Sequence, residues 1–179
     1  MNLLLRLIFF AVAAILSRRR LSPLDVSDLT FRVWPNDLDG NMHMNNGRYL
    51  SIMDIGRFDL VIRAGLLPVL FRNKWVPVLG GAMIRFRRSL SPFQKYRLKT
   101  RLLCWDAKWV YMEQKFETMD GKLAAVGVVK GVFKGPKGSV ATNDLLAAFG
   151  LTLESPPMPQ EVRAWQEAEQ GLTDQARAA

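Results

Sequence analysis

The sequence is short of the residues that reactive sites most often use. Its 179 residues include one cysteine, Cys104, and one histidine, His43. A lone cysteine excludes an internal disulfide, and no Cys/His cluster exists to hold zinc. Cys104 lies in the strand-like run Leu102-Leu103-Cys104-Trp105 and reads as a packed core residue rather than a nucleophile. Long apolar runs are scarce too. Leu7 to Leu16 is unbroken, but Arg6 precedes it and Arg18-Arg19-Arg20 closes it. A bilayer span needs about 20 apolar residues. Acidic residues are outnumbered, 16 against 25 basic ones, for a net charge of +9. That balance favours anionic partners such as phosphate-bearing cofactors, acidic carrier proteins or membrane surfaces. No nucleic-acid recognition motif accompanies the charge, and no internal repeat is visible.

What remains is one domain's worth of chain with a sizeable apolar share. The first segment, with Arg6 snorkelling, is an apolar helix of about 16 residues. Ala11-Val12-Ala13 has the form of a cleavage site but sits inside the run. Arginines at its C-terminal end favour an uncleaved anchor with the domain on the cytoplasmic side.

Leu29 to Trp34 reads as a short strand, ended by Pro35-Asn36-Asp37. From Asn46 the period changes. Tyr49, Ile52, Met53, Gly56 and Leu60 form one helical stripe, with Arg48, Ser51, Asp54 and Asp59 facing outward and Gly65 as the stop. A mid-helix glycine is explained by close approach to a sheet. Four strands follow. The first carries Gly80-Gly81, a bulge signal. The second alternates Tyr96, Leu98, Thr100 and Leu102 with Arg97, Lys99 and Arg101. Asp120-Gly121 joins the last two as a hairpin. A short helix from Thr142 and a polar helix over Glu161 to Glu169, with Trp165 exposed, close the chain. A helix segregated to one face of an antiparallel sheet is α+β. The division expected is residues 1–20 as anchor, 21–140 as the main domain, and 141–179 as a helical extension.

The densest chemistry is Asp37-Leu38-Asp39-Gly40-Asn41-Met42-His43-Met44-Asn45-Asn46-Gly47-Arg48-Tyr49. Carboxylates, amides and the only imidazole meet there at a helix start, where free backbone N–H groups can hold an anion. Asp39, Asn41 and His43 fall at every second position.

This segment, followed by Tyr49, resembles the catalytic segment of hotdog-fold thioesterases of the acyl-ACP and 4-hydroxybenzoyl-CoA types. The latter place an aspartate ten residues before the same tyrosine, where Asp39 stands. The anchor and Arg-Val-Trp-Pro-Asn-Asp-Leu-Asp further resemble the membrane-anchored branch called thioesterase superfamily member six. The resemblance implies a curved antiparallel sheet around one helix, a homodimer or homotetramer, and a site between subunits. It implies hydrolysis of an acyl-CoA or acyl-ACP thioester with no separate cofactor and no metal. Asp39 is then base or nucleophile, with Asn41 and His43 orienting water, carbonyl and protons. The N–H groups of Asn46 and Gly47 form the oxyanion hole. Tyr49, Arg85, Arg87 and Arg88 bind substrate, the arginines meeting CoA phosphates or an acidic carrier. Trp75, Met83, Phe86 and Met53 are candidates for an acyl tunnel. Two other readings stand beside it. One is a non-catalytic acyl-CoA or lipid-binding protein at the membrane. The other is a hotdog enoyl-CoA hydratase, whose Asp-x-Asn-Pro-x-His is one residue longer than Asp-x-Asn-x-His here.

Overall fold

A computed structural model of the chain describes residues 3–17 and 19–178, with side chains through Gly171. A 6-stranded sheet curls around one long helix. The strands are β1 (Ser27–Arg32), β2 (Val76–Phe86), β3 (Lys95–Trp105), β4 (Val110–Thr118), β5 (Leu123–Gly135) and β6 (Gly138–Val140). Their order is β1-β3-β4-β5-β2, every pair antiparallel, with β6 added beside β5. The fold is the hotdog α+β arrangement.

The enclosed helix, α2 (Asn46–Arg63), forms where the apolar stripe requires it. Asn45 caps it, and Gly65 ends it at φ 74°. There Gly65 N–H donates to the Ile62 carbonyl and Leu66 N–H to that of Val61, at 3.0 and 3.1 Å, a Schellman closure. Tyr49, Ile52, Met53, Gly56 and Leu60 are all buried. Gly56 is required by packing: a Cβ there would strike Thr100 Oγ1 and come within 2.8 Å of Leu98 Cδ2. Asp59, expected outward, is buried instead. Ser27 Oγ donates to its carboxylate at 2.6 Å, and Arg63 lies 3.4 Å away.

A short helix α3 (Leu67–Asn73) follows, with Pro68 in its first turn. The diglycine does produce a bulge between Leu79 and Gly81. Gly80 is bare because the Trp109 ring packs where its Cβ would stand. In β5, Ala124, Ala125, Val128 and Val129 are buried on both faces. The concave face meets α2. The convex face meets α5 (Gln160–Ala178), which runs past Glu169. Trp165 is not an exposed anchor. It packs with Val162, Tyr111 and Trp109, and Gln166 donates to Asp106 and to the Tyr111 hydroxyl at 3.0 and 2.7 Å. Another short helix, α4 (Thr142–Ala148), precedes it.

The N-terminal helix α1 (Leu3–Leu16) lies against the domain. Leu3, Leu7 and Phe10 pack on the main core, Phe10 with its ring centroid 4.5 Å from that of Phe31. Arg6 does not snorkel: it is buried in an ion pair with Asp37 at 2.6 Å. The opposite face leaves Leu4, Leu5, Ile8, Phe9, Val12, Ile15 and Leu16 exposed. No helix among the described residues is long and apolar enough to cross a membrane.

Candidate functional site

The polar segment folds as a closed loop between β1 and α2. Leu38 and Met44 pair as an isolated bridge, and Asp39 N–H donates to the His43 carbonyl at 2.9 Å. Asp39 Oδ1 accepts the Asn41 N–H at 2.9 Å and the His43 N–H at 3.5 Å. This Asx-type turn is why aspartate stands there. Met42 sits at the tip with φ 58°, a strained conformation for a non-glycine residue, and is 60% exposed. Asp39, Asn41 and His43 are therefore gathered by a turn, not by strand alternation. Asn41 and His43 are exposed and Asp39 is half-buried. One Asp39 oxygen holds the loop together. The other, Oδ2, has no hydrogen-bond partner among the described residues.

The loop is anchored to α2 through Asn45, whose N–H donates to the Asp37 carbonyl at 2.8 Å. The Asn45 side chain accepts the Gly47 N–H at 2.8 Å. That bond corrects one expectation. The cap uses the Gly47 N–H, so the helix-start donor left over is that of Asn46. Tyr49 is also placed differently: it is 2% exposed, its ring against Phe86 and Phe116 with centroids 5.0 and 4.7 Å away. Burial pushes its phenol up to about 12. Tyr49 belongs to the same buried cluster as Met44 at the end of the loop.

Arg87 and Arg88 follow β2, their N–H groups donating to the Ala124 carbonyl at 2.8 and 3.0 Å. The segment after them reaches the loop at Leu90, whose carbonyl accepts the Met44 N–H at 3.0 Å. Arg85, Arg87 and Arg88 are exposed, and no carboxylate neutralises them among the described residues. The basic row on β3 differs. Arg97 pairs with Asp28, Lys99 with Glu117 and Arg101 with Glu113, so that row is charge-compensated.

An apolar cavity of about 320 Å³ opens between α2, α3 and the start of β2. Phe58, Val61, Trp75, Val78, Leu79 and Met112 line it. Of the residues expected to form an acyl tunnel, only Trp75 lines this cavity. Met53 is fully buried between α2, to which it belongs, and β5, Met83 packs beneath α5, and Phe86 lies on Tyr49. One polar wall was not foreseen. Asp54 and Arg57 pair on α2 at the cavity, and Arg57 Nη1 donates to Gln114 Oε1 at 2.8 Å. Burial lowers the Arg57 pKa. Their i, i+3 spacing was the available signal. Counted along α2 at 1.5 Å per residue, Asp54 to Val61 lie about 12–22 Å from Asn46. The cavity and the loop are thus at opposite ends of one protomer. Cys104 is fully buried, and burial pushes its thiol up to about 11, which fits a core role.

Comparison with known proteins assigns the family. A model of the thioesterase-like superfamily matches residues 33–166. Protein THEM6 of Xenopus laevis is 35% identical over 147 residues, covering 82% of this chain and 70% of that protein. Protein THEM6 of Drosophila melanogaster is 30% identical over 169 residues, covering 93% and 86%. The solved structure of YbaW, a probable thioesterase of Escherichia coli, superposes with a TM-score of 0.64 at 19% identity, covering 68% of this chain and 94% of that one. The chain belongs to the thioesterase-like superfamily.

Proposed function

With that membership as premise, we propose that the chain hydrolyses an acyl-CoA or acyl-carrier-protein thioester, with Asp39 as base or nucleophile. The observation that carries this is the division of labour within one carboxylate: Oδ1 fixes the loop and Oδ2 is uncommitted. As a base, Asp39 takes a proton from water while the water oxygen bonds to the thioester carbon. The oxyanion meets the Asn46 N–H, where the start of α2 favours negative charge. Collapse breaks the C–S bond, and the thiolate leaves and is protonated. As a nucleophile, Oδ2 itself adds to the carbon, the thiolate departs, and water then hydrolyses the mixed anhydride. Asn41 and His43, exposed beside it, orient water and move protons. Arg85, Arg87 and Arg88 meet the phosphates of CoA or an acidic carrier.

The working unit in this reading is a dimer. β2 is one of the two edge strands of the sheet, with Val76, Val78 and Leu79 exposed. Its C-terminal end lies by Tyr49 at the start of α2, and its N-terminal end lines the cavity. Antiparallel pairing of two β2 edges sets the cavity of one protomer opposite the Asp39 loop of the other. The acyl group then enters one subunit and is cleaved by its partner. The exposed face of α1, next to Arg19 and Arg20, rests on an anionic lipid surface in the plane of the interface.

Acyl-CoAs of graded chain length and a thiol reagent test the reading. Asp39→Asn keeps the Oδ1 acceptor and the loop. It is expected to lower kcat about 10²- to 10⁴-fold, the range of a lost general base. Mixing it with a cavity-blocked variant, Val78→Trp, restores one intact site per heterodimer, about a quarter of wild-type activity for random pairing of isologous protomers. Turnover undiminished in Asp39→Asn removes Asp39 from the chemistry. Acyl-CoA binding without turnover in the wild type makes the chain a binding protein.

A further inference from the structure

The buried ion pair between Arg6 and Asp37 ties the N-terminal helix to the loop that carries Asp39, and we propose that Arg6 is a positioning residue for that loop. This inference rests on the catalytic reading of Asp39. Both partners are about 2% exposed, and Arg6 Nη2 lies 2.6 Å from Asp37 Oδ2. Nothing else among the described residues bonds the guanidinium: Nε and Nη1 are buried without a partner.

Asp37 is the node that shapes both ends of the loop. Its Oδ2 also accepts the Trp34 N–H at 2.9 Å, which sets the exit from β1. Its carbonyl accepts the Asn45 N–H, which sets the entry to α2. Between those two fixed points run Asp39, Asn41 and His43. Among the described residues the one further cation near Asp37 is Arg48, whose Nε is 3.6 Å from Oδ1 and donates its hydrogen bond to the Asn36 carbonyl. Without Arg6, Asp37 Oδ2 would have no cation bonded to it, and the half-buried Arg48, 3.6 Å from Oδ1, would be left to compensate the charge alone. A buried carboxylate compensated so weakly draws in water or shifts outward. Either response moves the two points from which the loop hangs. The helix that reads in sequence as a detachable anchor is therefore part of the scaffold of the reactive loop. A chain shortened by that helix would retain Asp39, Asn41 and His43 and lose the charge that holds them in place.

The test uses the full chain and four variants: Arg6→Met, Arg6→Lys, Arg6→Met/Asp37→Asn, and Asp39→Asn as reference. Amide exchange at Asn41 and His43 is measured beside kcat and KM. Arg6→Met is expected to lower kcat about 10²-fold, the scale of a small misplacement of reacting groups, with KM little changed and faster exchange at both amides. Arg6→Met/Asp37→Asn removes the orphaned charge while keeping an acceptor for Trp34, and regains most of the loss. A folded Arg6→Met with wild-type kcat and exchange overturns the proposal, as does a double variant no better than the single one. If Arg6→Met does not fold, Arg6→Lys decides. Its point charge replaces a fork, so a severalfold fall in kcat with faster exchange supports the proposal, and unchanged values overturn it. Should Asp39→Asn stay active, the catalytic reading fails, and the exchange rates still report whether Arg6 positions the loop.

Discussion

Replacing Gly56 by alanine would probe the contact that seats α2 in the sheet. The new Cβ would strike Thr100 Oγ1 and stand 2.8 Å from Leu98 Cδ2 and 3.0 Å from Gln114 Nε2. Ordinary carbon contacts are about 3.5–4.0 Å, so helix and strands must part by up to about 1 Å. Overpacking of this kind costs about 1–3 kcal/mol. Gln114 is the group least free to yield. It is fully buried, donates to the Met53 carbonyl at 2.8 Å and to Thr100 Oγ1 at 2.9 Å, and accepts from Arg57. Orphaning a buried carbonyl adds about 1–3 kcal/mol. Alanine returns about 1 kcal/mol of helix propensity. The net loss is about 1–5 kcal/mol, and at this chain length Tm falls by roughly 2–20 °C. Thermal unfolding followed by circular dichroism measures it. Ser51→Ala on the same helix serves as control and stays within about 0.5 kcal/mol of wild type. A Gly56→Ala variant that melts at or above the wild-type temperature would mean that α2 and the sheet are not in contact there, and the reasoning would fall.

Two further outcomes follow from groups away from the loop. The raised thiol of Cys104 lowers its thiolate fraction about 10²-fold, so labelling of the native protein at pH 8 should be slow and become fast on unfolding. Rapid native labelling would contradict its burial. Glu113 responds to acid. Burial alone would raise it, but hydrogen bonds from Arg101 and Lys115 hold it below the usual carboxylate range. A carboxyl with a folded pKa below its unfolded one adds stability above the unfolded pKa, and this is lost as pH falls through the folded value. Arg101→Gln should therefore be less stable than wild type at neutral pH, with the gap in denaturant midpoint closing in acid. A gap that does not depend on pH would refute the pairing.

Features with a local cause could be read from sequence. The stripe from Tyr49 to Leu60 fixed α2, and the alternation at Tyr96, Leu98 and Thr100 fixed β3, because each pattern is set by backbone period alone. Gly56 announced a close approach, and Gly80-Gly81 a bulge. Arg6 and Asp59 were misplaced because their partners are distant in sequence. Arg6 meets Asp37, and Asp59 meets Ser27, across 31 and 32 residues. A charged residue in a pattern reads as exposed unless its partner is known. Trp165 was misread for the same reason, since the sheet face it covers is built from β4 and β5. The Gly47 N–H reads as free in sequence because nothing there shows which donor the Asn45 side chain takes.

The uncovered edge of β2 also has a bearing on how the protein behaves when diluted. An isolated protomer carries a row of unpaired backbone groups flanked by Val76, Val78 and Leu79, a surface that invites any extended chain to add to it. Pairing with a second copy would close that template, so the native contact and protection against misassembly would be one event. The apparent melting temperature would then rise with protein concentration, by mass action.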